Sequence, residues 1–286
     1  MIDFLKDFRD AVETVPLIRN ALLAGLVSSL TFGMVGSLVV TRQIAYVAAA
    51  IAHSILGGIG AAIYYGRVYD LPWLTPMLGA IIAAFLSVAL IGWVSMRFGE
   101  REDTIIGAIW AFGMAAGLVF LHYSPGKAVY LESFIFGNIL LTSHSDVIAT
   151  LVLGLSILVL VILFYHKLVA VSFDEEFAQL RGVSSKAYYF LLLGLTAMSV
   201  VLLVRLVGLI LAQALIILPA ATASRFSRSL WAIMILAVVI SAVCNTAGLA
   251  YSYEYDIPTG PFIVFIAVAF YALSFLFRRR RARPSR

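Results

Sequence analysis

The sequence predicts an all-α fold, a polytopic membrane bundle of about eight or nine transmembrane helices. Hydrophobic residues make up 63% of the 286 residues and charged residues 12%, whereas soluble domains average roughly 45–50% and about 25%. The mean hydropathy is +1.03. A helix needs about 20 apolar residues to cross a bilayer. Runs of that kind predict spans at residues 17–40, 44–65, 73–96, 104–122, 146–165, 186–204, 206–223, 229–251 and 260–277.

Both ends of the chain differ from the apolar middle, residues 17–277, which we expect to form one transmembrane domain. Residues 1–16 mix Lys6 and Arg9 with acidic residues, unlike the positively charged start of a signal peptide. The spacing of their apolar residues predicts a short helix lying on the membrane surface. Residues 278–286 are rich in arginine. Directly after a span, we expect such a tail to contact anionic lipid headgroups rather than nucleic acid.

Lysine and arginine are unevenly distributed between the two sides of the predicted bundle. In membrane proteins, cytoplasmic loops carry the excess of these residues. With the C-terminal tail placed in the cytoplasm, that side holds 14 of the 20 basic residues. The distribution therefore predicts an N-terminus outside the cell and a C-terminus inside.

A short polar helix is predicted in the loop that follows the fifth span. Its apolar residues recur on one face, three acidic residues occupy its first turn, an arginine lies in its last turn and Gly182 follows as a stop signal. The helix is too short and too charged to enter a bilayer, so we expect it to bind another protein. The residues expected at that interface are Phe173, Asp174, Glu175, Glu176, Phe177, Leu180 and Arg181.

His53 is the one histidine deep inside a predicted span. Polar side chains are costly in the bilayer and often functional there. A neutral imidazole is a common ligand of divalent transition metals, so one interpretation is a metal ligand. The other is a histidine that is hydrogen-bonded to a neighbouring helix for structure. Small residues nearby, Gly60 among them, predict close packing against another helix.

Three residues at the predicted outer side are candidates for the mouth of a pathway: His122, His144 and Asp256. The histidines either capture a metal or are simply solvated. Asp256 either caps the last span or lines the mouth. In the seventh span, Gln213 and Pro219 are gating candidates. Pro219 cannot donate a backbone hydrogen bond, so we expect the helix to kink or end near it.

No phosphate-binding loop of the form Gly-x-x-x-x-Gly-Lys-Ser/Thr occurs in the sequence. If ATP drives transport, the ATPase is a separate chain. A secondary transporter or channel needs no such motor, but it predicts carboxylates inside the spans for ion coupling, and here the acidic residues lie in loops and at span ends. An intramembrane enzyme needs a nucleophile or metal cluster beside His53, and the sequence shows no obvious partner. No permanently bound cofactor is expected.

Several short motifs together resemble the permease of the bacterial zinc/manganese/iron-uptake ABC transporter family. The resemblance covers about residues 20–277. Its marks are Tyr46 with Ala52-His53-Ser54, Asp103-Thr-Ile-Ile-Gly107, Phe136-Gly137, Val207-Gly208, Ile217-Leu-Pro219-Ala-Ala-Thr-Ala223 and Tyr255-Asp-Ile-Pro-Thr-Gly-Pro261.

The resemblance implies a pore formed by two permease subunits, expected to be identical. It implies a dimer of cytosolic ATPases docked on the helix at 173–181, called the coupling helix, and a metal-loaded extracytoplasmic binding protein on the outer face. ATP binding and hydrolysis would switch the pore between inward-open and outward-open states.

The chain departs from the family pattern at three positions. Family members often carry an Asp one turn before the histidine of the second span, where this chain has Ala49. Asn138 stands where an Asp often follows Phe-Gly, and Ala111 where zinc-type members can carry a His. A pore with fewer anionic ligands is expected to hold a divalent cation weakly, and a metal chelate would need fewer such ligands.

Overall fold

The computed structural model describes residues 2–97, 102–126, 137 and 139–276, which form helices and short connections without strands. Within these residues, nine helices are long and apolar enough to cross a membrane, as predicted. The helices in chain order are α1 (Ile2–Thr14), α2 (Pro16–Thr41), α3 (Ala45–Val68), α4 (Pro76–Arg97), α5 (Glu102–Tyr123), α6 (His144–Leu163), α7 (Tyr165–Phe173), α8 (Glu175–Leu180), α9 (Ser185–Val204), α10 (Leu206–Phe226), α11 (Leu230–Tyr255) and α12 (Thr259–Leu276), with a 3₁₀ turn at Ile139–Leu141.

The predicted N-terminal helix is present as α1, and its Phe8 and Val12 pack against the core of the bundle. Its position on a membrane surface stays a prediction. The basic tail at 278–286 lies outside the described residues.

Helices α9 and α10 form one hydrogen-bonded helical stretch that reverses direction near Gly208. The Ser185 hydroxyl at its start donates to the Glu175 carbonyl, and Glu175 is bonded to Arg42. Ala220 and Ala223 at its other end pack with Val40. Both ends therefore lie beside residues 40–42, which a straight helix of this length cannot achieve. Gly208, with φ 81° and ψ 173°, is the non-helical residue that permits the reversal.

Burial separates central from peripheral spans. The apolar stretch of α2 is 72% buried, and those of α3, α9 and α10 are each 67% buried, whereas that of α5 is only 17% buried and that of α12 22%. The four well-buried helices form the centre of the subunit. The apolar outer faces of α5 and α12 are left for lipid or for another protein.

Helix α3 lies between α4 and α5 at unusually short range. A Cβ added to Gly58 would lie 2.1 Å from the Gly79 carbonyl oxygen of α4, and one added to Gly60 would lie 2.7 Å from the Gly117 carbonyl oxygen of α5. Glycine permits backbones to approach this closely in membrane helices. The close packing expected at Gly60 is therefore present, and α4, α3 and α5 form one layer.

A buried amide links α2 to α11 inside the bundle. The Asn245 side-chain nitrogen donates to the Gly25 carbonyl at 3.0 Å and to the Ser29 hydroxyl at 2.9 Å. Asn245 is only 4% exposed. Hydrogen bonds between membrane helices contribute roughly 0.6 kcal/mol each, and up to about 1.7, so this amide helps to fix the register of the two helices.

Candidate functional site

The short polar helix is present as α8, and its two ends are set by local hydrogen bonds. Asp174 has extended backbone angles and its side chain accepts from the Phe177 backbone N–H at 2.9 Å, as an N-cap does. At the other end Gly182 has φ +75°. Gly182 and Val183 donate to the Gln179 and Ala178 carbonyls, which is the Schellman arrangement. The stop signal predicted at Gly182 is confirmed.

The predicted start of this helix, Phe173, lies in the preceding helix, and α8 begins only at Glu175. Phe173 is the last residue of α7, and Arg181 lies just after the last turn of α8. The Asp174 cap is the physical reason, because it takes residue 174 out of helical geometry and separates the two helices. The predicted apolar residues nevertheless all face solvent, since Phe173, Phe177 and Leu180 are 62%, 50% and 87% exposed.

The charged residues of this segment have different surroundings. Glu175 forms a 2.8 Å ion pair with Arg42 of the α2–α3 turn. The Arg181 guanidinium lies 5.1 Å from the centroid of the Phe177 ring. The Glu176 side chain is exposed, with no ion pair or hydrogen bond to the described residues. We call the exposed surface of Phe173, Glu176, Phe177 and Leu180 the α8 surface.

His53 lies in the middle of α3 and is half-buried. Its ring stacks on Trp110 of α5, with centroids 4.5 Å apart and an 11° angle between the planes. No hydrogen bond within the described part of the chain reaches the imidazole, so the structure does not supply the bonded partner that a purely structural histidine was expected to have. Ser54, the next residue, donates to the Ile51 carbonyl and lies 2.7 Å from the Ser87 hydroxyl of α4.

The two described positions that depart from the family pattern, Ala49 and Ala111, add no side-chain ligand to His53. Ala49 is 5% exposed, Ala111 is exposed and Asn138 lies outside the described residues. Among the described residues, no group of three or more His, Cys, Asp or Glu side chains is placed to hold a metal ion. Among those residues, His53 therefore belongs to no such group.

The outer-mouth candidates lie at the end of the bundle opposite to α8. His122 is exposed near the end of α5, edge-on to Tyr123 at 5.1 Å. His144 is exposed at the first residue of α6. Asp256, also exposed, has left-handed angles and ends α11. The expectation that Asp256 caps the last span is wrong, because it ends the preceding helix and α12 begins only at Thr259.

The gating candidates lie in α10. Pro219 is buried and Gln213 is half-buried. The helix does not end at Pro219 but continues to Phe226, and the residue with non-helical angles is Gly208. The helix end that was one expectation for Pro219 is therefore not there, and the non-helical residue lies eleven residues earlier, at a glycine whose angles a proline or an alanine cannot adopt.

Two motifs that were separate in the sequence meet at that break. Gly137 has φ +58°, and a Cβ added to it would lie 2.3 Å from the Gly208 nitrogen and from the Val207 carbonyl carbon. The Phe-Gly and Val-Gly motifs thus form one backbone contact. The sequence showed two glycines, and only the fold brings them together.

A cavity of about 530 Å³ lies between α4 and α5, with small residues of α3 as its floor. Its wall is almost wholly apolar, and none of its lining residues is charged. His53 does not line it. This cavity is therefore not the candidate metal path.

Comparisons with known proteins agree on the family. The sequence profile of the ABC 3 transport family matches residues 14–278. The chain is 38% identical to a "Probable metal transport system membrane protein" of Chlamydia muridarum, covering 92% of this chain and 90% of that one. It is 31% identical to the manganese transport system membrane protein MntC of Halalkalibacterium halodurans, covering 94% and 90%.

Solved structures give the same result for the fold. PsaBC from Streptococcus pneumoniae, in complex with Fab, aligns over 95% of both chains with a TM-score of 0.83 and 28% identity. A structure described as a metal-chelate type ABC transporter in an inward-facing conformation aligns with a TM-score of 0.74 at 16% identity, which supports the fold alone. The predicted resemblance is confirmed: the chain belongs to the ABC 3 transport family and is a multi-pass permease of the cell membrane.

Proposed function

We propose that this chain is the permease subunit of an ATP-driven importer of a divalent transition metal ion. Manganese is the first candidate, because relatives over nearly the whole chain are named manganese transport proteins. Zinc and iron remain within the same proposal. The observation that carries the proposal is the capped helix α8, which holds exposed apolar side chains outside the bundle in a member of an ABC transport family.

The α8 surface is the proposed docking site of a separate cytosolic ATPase dimer. Leu180 and Phe173 are large apolar side chains with more than half of their area exposed, and a short, rigid, capped helix can fill a groove with little loss of conformational entropy. The excess of basic residues in the same loops supports the orientation with the N-terminus outside and the C-terminus inside. In that orientation α8 is cytoplasmic.

The proposed path of the metal passes His53 between two copies of the chain. A single imidazole is a weak site, since zinc is held by three or four protein ligands and manganese prefers about six, mostly oxygen. Two copies related by a two-fold axis would offer two His53 side chains. Such a sparse site suits transport, because a cargo must be released as readily as it is bound.

The opposite face is the proposed docking site of an extracytoplasmic metal-binding protein, with His122, His144 and Asp256 around the mouth. Gln213 and Pro219 of α10 remain proposed gating residues. In the proposed division of the chain, residues 1–16 lie on the membrane, 17–277 form the permease domain and 278–286 contact lipid headgroups.

The test uses proteoliposomes that contain the permease with its ATPase and binding protein, and it measures uptake of radioactive Mn²⁺, with Zn²⁺ and Fe²⁺ as competitors. Uptake should require ATP, and His53→Ala should reduce it while the ATPase still co-purifies. The control is Ser54→Ala, which removes a neighbouring hydroxyl that is bonded to the Ile51 carbonyl and the Ser87 hydroxyl. Uptake without ATP would favour the secondary transporter or channel. Full uptake in His53→Ala would remove His53 from the path.

A further inference from the structure

Arg42 joins four helices at the face that carries α8. It follows α2 directly, in the turn before α3. Its guanidinium donates to the Val171 carbonyl of α7 and, at 2.8 Å, to the Glu175 carboxylate of α8. The same group lies 5.0 Å from the centroid of the Tyr189 ring of α9. The Arg42 side chain is only 15% exposed and the Glu175 side chain 43% exposed, so the guanidinium is shielded from water better than the carboxylate.

One of these contacts satisfies a carbonyl at the end of a helix. The last carbonyls of a helix lack intrahelical donors, and Val171 lies near the end of α7. The planar guanidinium can serve that carbonyl and a carboxylate at once, while its face stacks on an aromatic ring. A lysine ammonium has neither the planar set of N–H donors nor the flat surface that these contacts use. The arrangement therefore depends on arginine in particular.

The turn that carries Arg42 is itself rigid. Gln43 donates to the Val40 carbonyl and Ile44 to the Val39 carbonyl, so α2 ends in a Schellman arrangement with Gln43 at φ 62°. Helix α3 begins at Ala45. Because these hydrogen bonds hold every residue of the turn, a displacement of Arg42 is passed to the start of α3.

We propose that Arg42 is the positioning residue that transmits movement of α8 to α3, the helix that carries His53. This inference rests on the proposed function, in which the ATPase moves α8. The inference also assigns different roles to two adjacent acidic residues. Glu175 belongs to the internal connection through Arg42, and Glu176 of the α8 surface is the carboxylate available to the ATPase.

The experiment uses the complete transporter in proteoliposomes and measures ATP hydrolysis and Mn²⁺ uptake on the same sample. In Arg42→Gln and in Glu175→Gln, the number of Mn²⁺ ions taken up per ATP should fall by about fivefold or more, the lower end of typical coupling between sites. The ATPase should remain bound. The double variant should lose no more than either single variant, because both act through one contact.

The matched control is Glu13→Gln, which breaks the exposed Arg9–Glu13 ion pair of α1 with the same change in charge. It should leave both ATPase binding and uptake per ATP unchanged, whereas Glu176→Gln should weaken binding of the ATPase. If Arg42→Gln fails to fold, Arg42→Lys and Glu175→Gln allow the same measurement of Mn²⁺ uptake per ATP with less disturbance of the fold.

Two results overturn the inference and are distinguishable. If the variants lower hydrolysis and uptake in proportion, the ratio stays constant and Arg42 only supports the structure. If the unmodified transporter shows no ATP-dependent uptake of Mn²⁺, Zn²⁺ or Fe²⁺, the proposed function fails and this inference fails with it.

Discussion

Replacing Gly113 by alanine tests whether α3 and α5 are as close as the structure has them beside His53. The added Cβ would lie 2.5 Å from the Ser54 Cα and 3.1 Å from the His53 carbonyl oxygen. An ordinary contact begins at 3.4 Å, so α5 has to retreat from α3 by about 0.9 Å. The obstacle is backbone, which cannot rotate away as a side chain can.

Two opposing terms set the magnitude. Alanine favours a helix over glycine by about 1 kcal/mol, whereas an extra methyl group in a well-packed interior costs roughly 1–3 kcal/mol. Gly107 lies on the same helix and an added Cβ there meets no described atom within 4 Å. Gly107→Ala therefore gains the helix preference of alanine without the cost of a close contact. The difference between the two variants should be about 1–3 kcal/mol.

The assay is thermal unfolding of both purified variants in one detergent at one heating rate, with the unmodified protein beside them. The Tm of Gly113→Ala should lie roughly 2–6 °C below that of Gly107→Ala, from the usual relation between free energy and Tm in larger domains. Gly194→Ala, on α9 and equally free of contacts, is a second control. Equal Tm values for Gly113→Ala and both controls would refute the close approach of α3 and α5.

Two further substitutions probe other contacts. Gly208→Ala places a side chain on a residue with φ 81° and ψ 173°, so it should lower stability by about 1–3 kcal/mol. Thermal unfolding against Gly194→Ala measures this, and an unchanged Tm would argue against the reversal there. Asn245→Leu removes the bonds to Gly25 and Ser29 and should cost about 1–2 kcal/mol, measured in the same way, and a variant as stable as the parent would show that the amide contributes nothing.

The sequence predicted those features whose causes are local. The nine spans follow from apolar length, and the end of α8 follows from Gly182, whose left-handed angles close the helix. Asp174 is the instructive error. An aspartate can occupy the first turn of a helix or cap the helix just before it, and both positions favour a negative charge. Only the side-chain bond to the Phe177 N–H shows that it is the cap.

Contacts between distant segments could not be predicted in this way. The missing N–H of Pro219 is visible in the sequence, whereas the reversal at Gly208 depends on its contact with Gly137 from a distant segment. In the same way, the sequence shows Arg42 only as a cation between two predicted spans. Its partners come from three later helices, and a single sequence holds no record of that proximity.

The short contacts of α3 bear directly on how a displacement at Arg42 would reach His53. A helix packed through side chains can absorb a small push by changing rotamers, because side chains hop between staggered states at low cost. At Gly58 and Gly60 the contacts of α3 are backbone against backbone, and no rotamer can take up the movement. We therefore expect α4, α3 and α5 to move as one layer, with His53 and Trp110 kept in register. In the proposed mechanism, a push delivered at the start of α3 would reorient the whole wall. The proposed metal path would then open or close without any change in the contacts of His53 inside its own subunit.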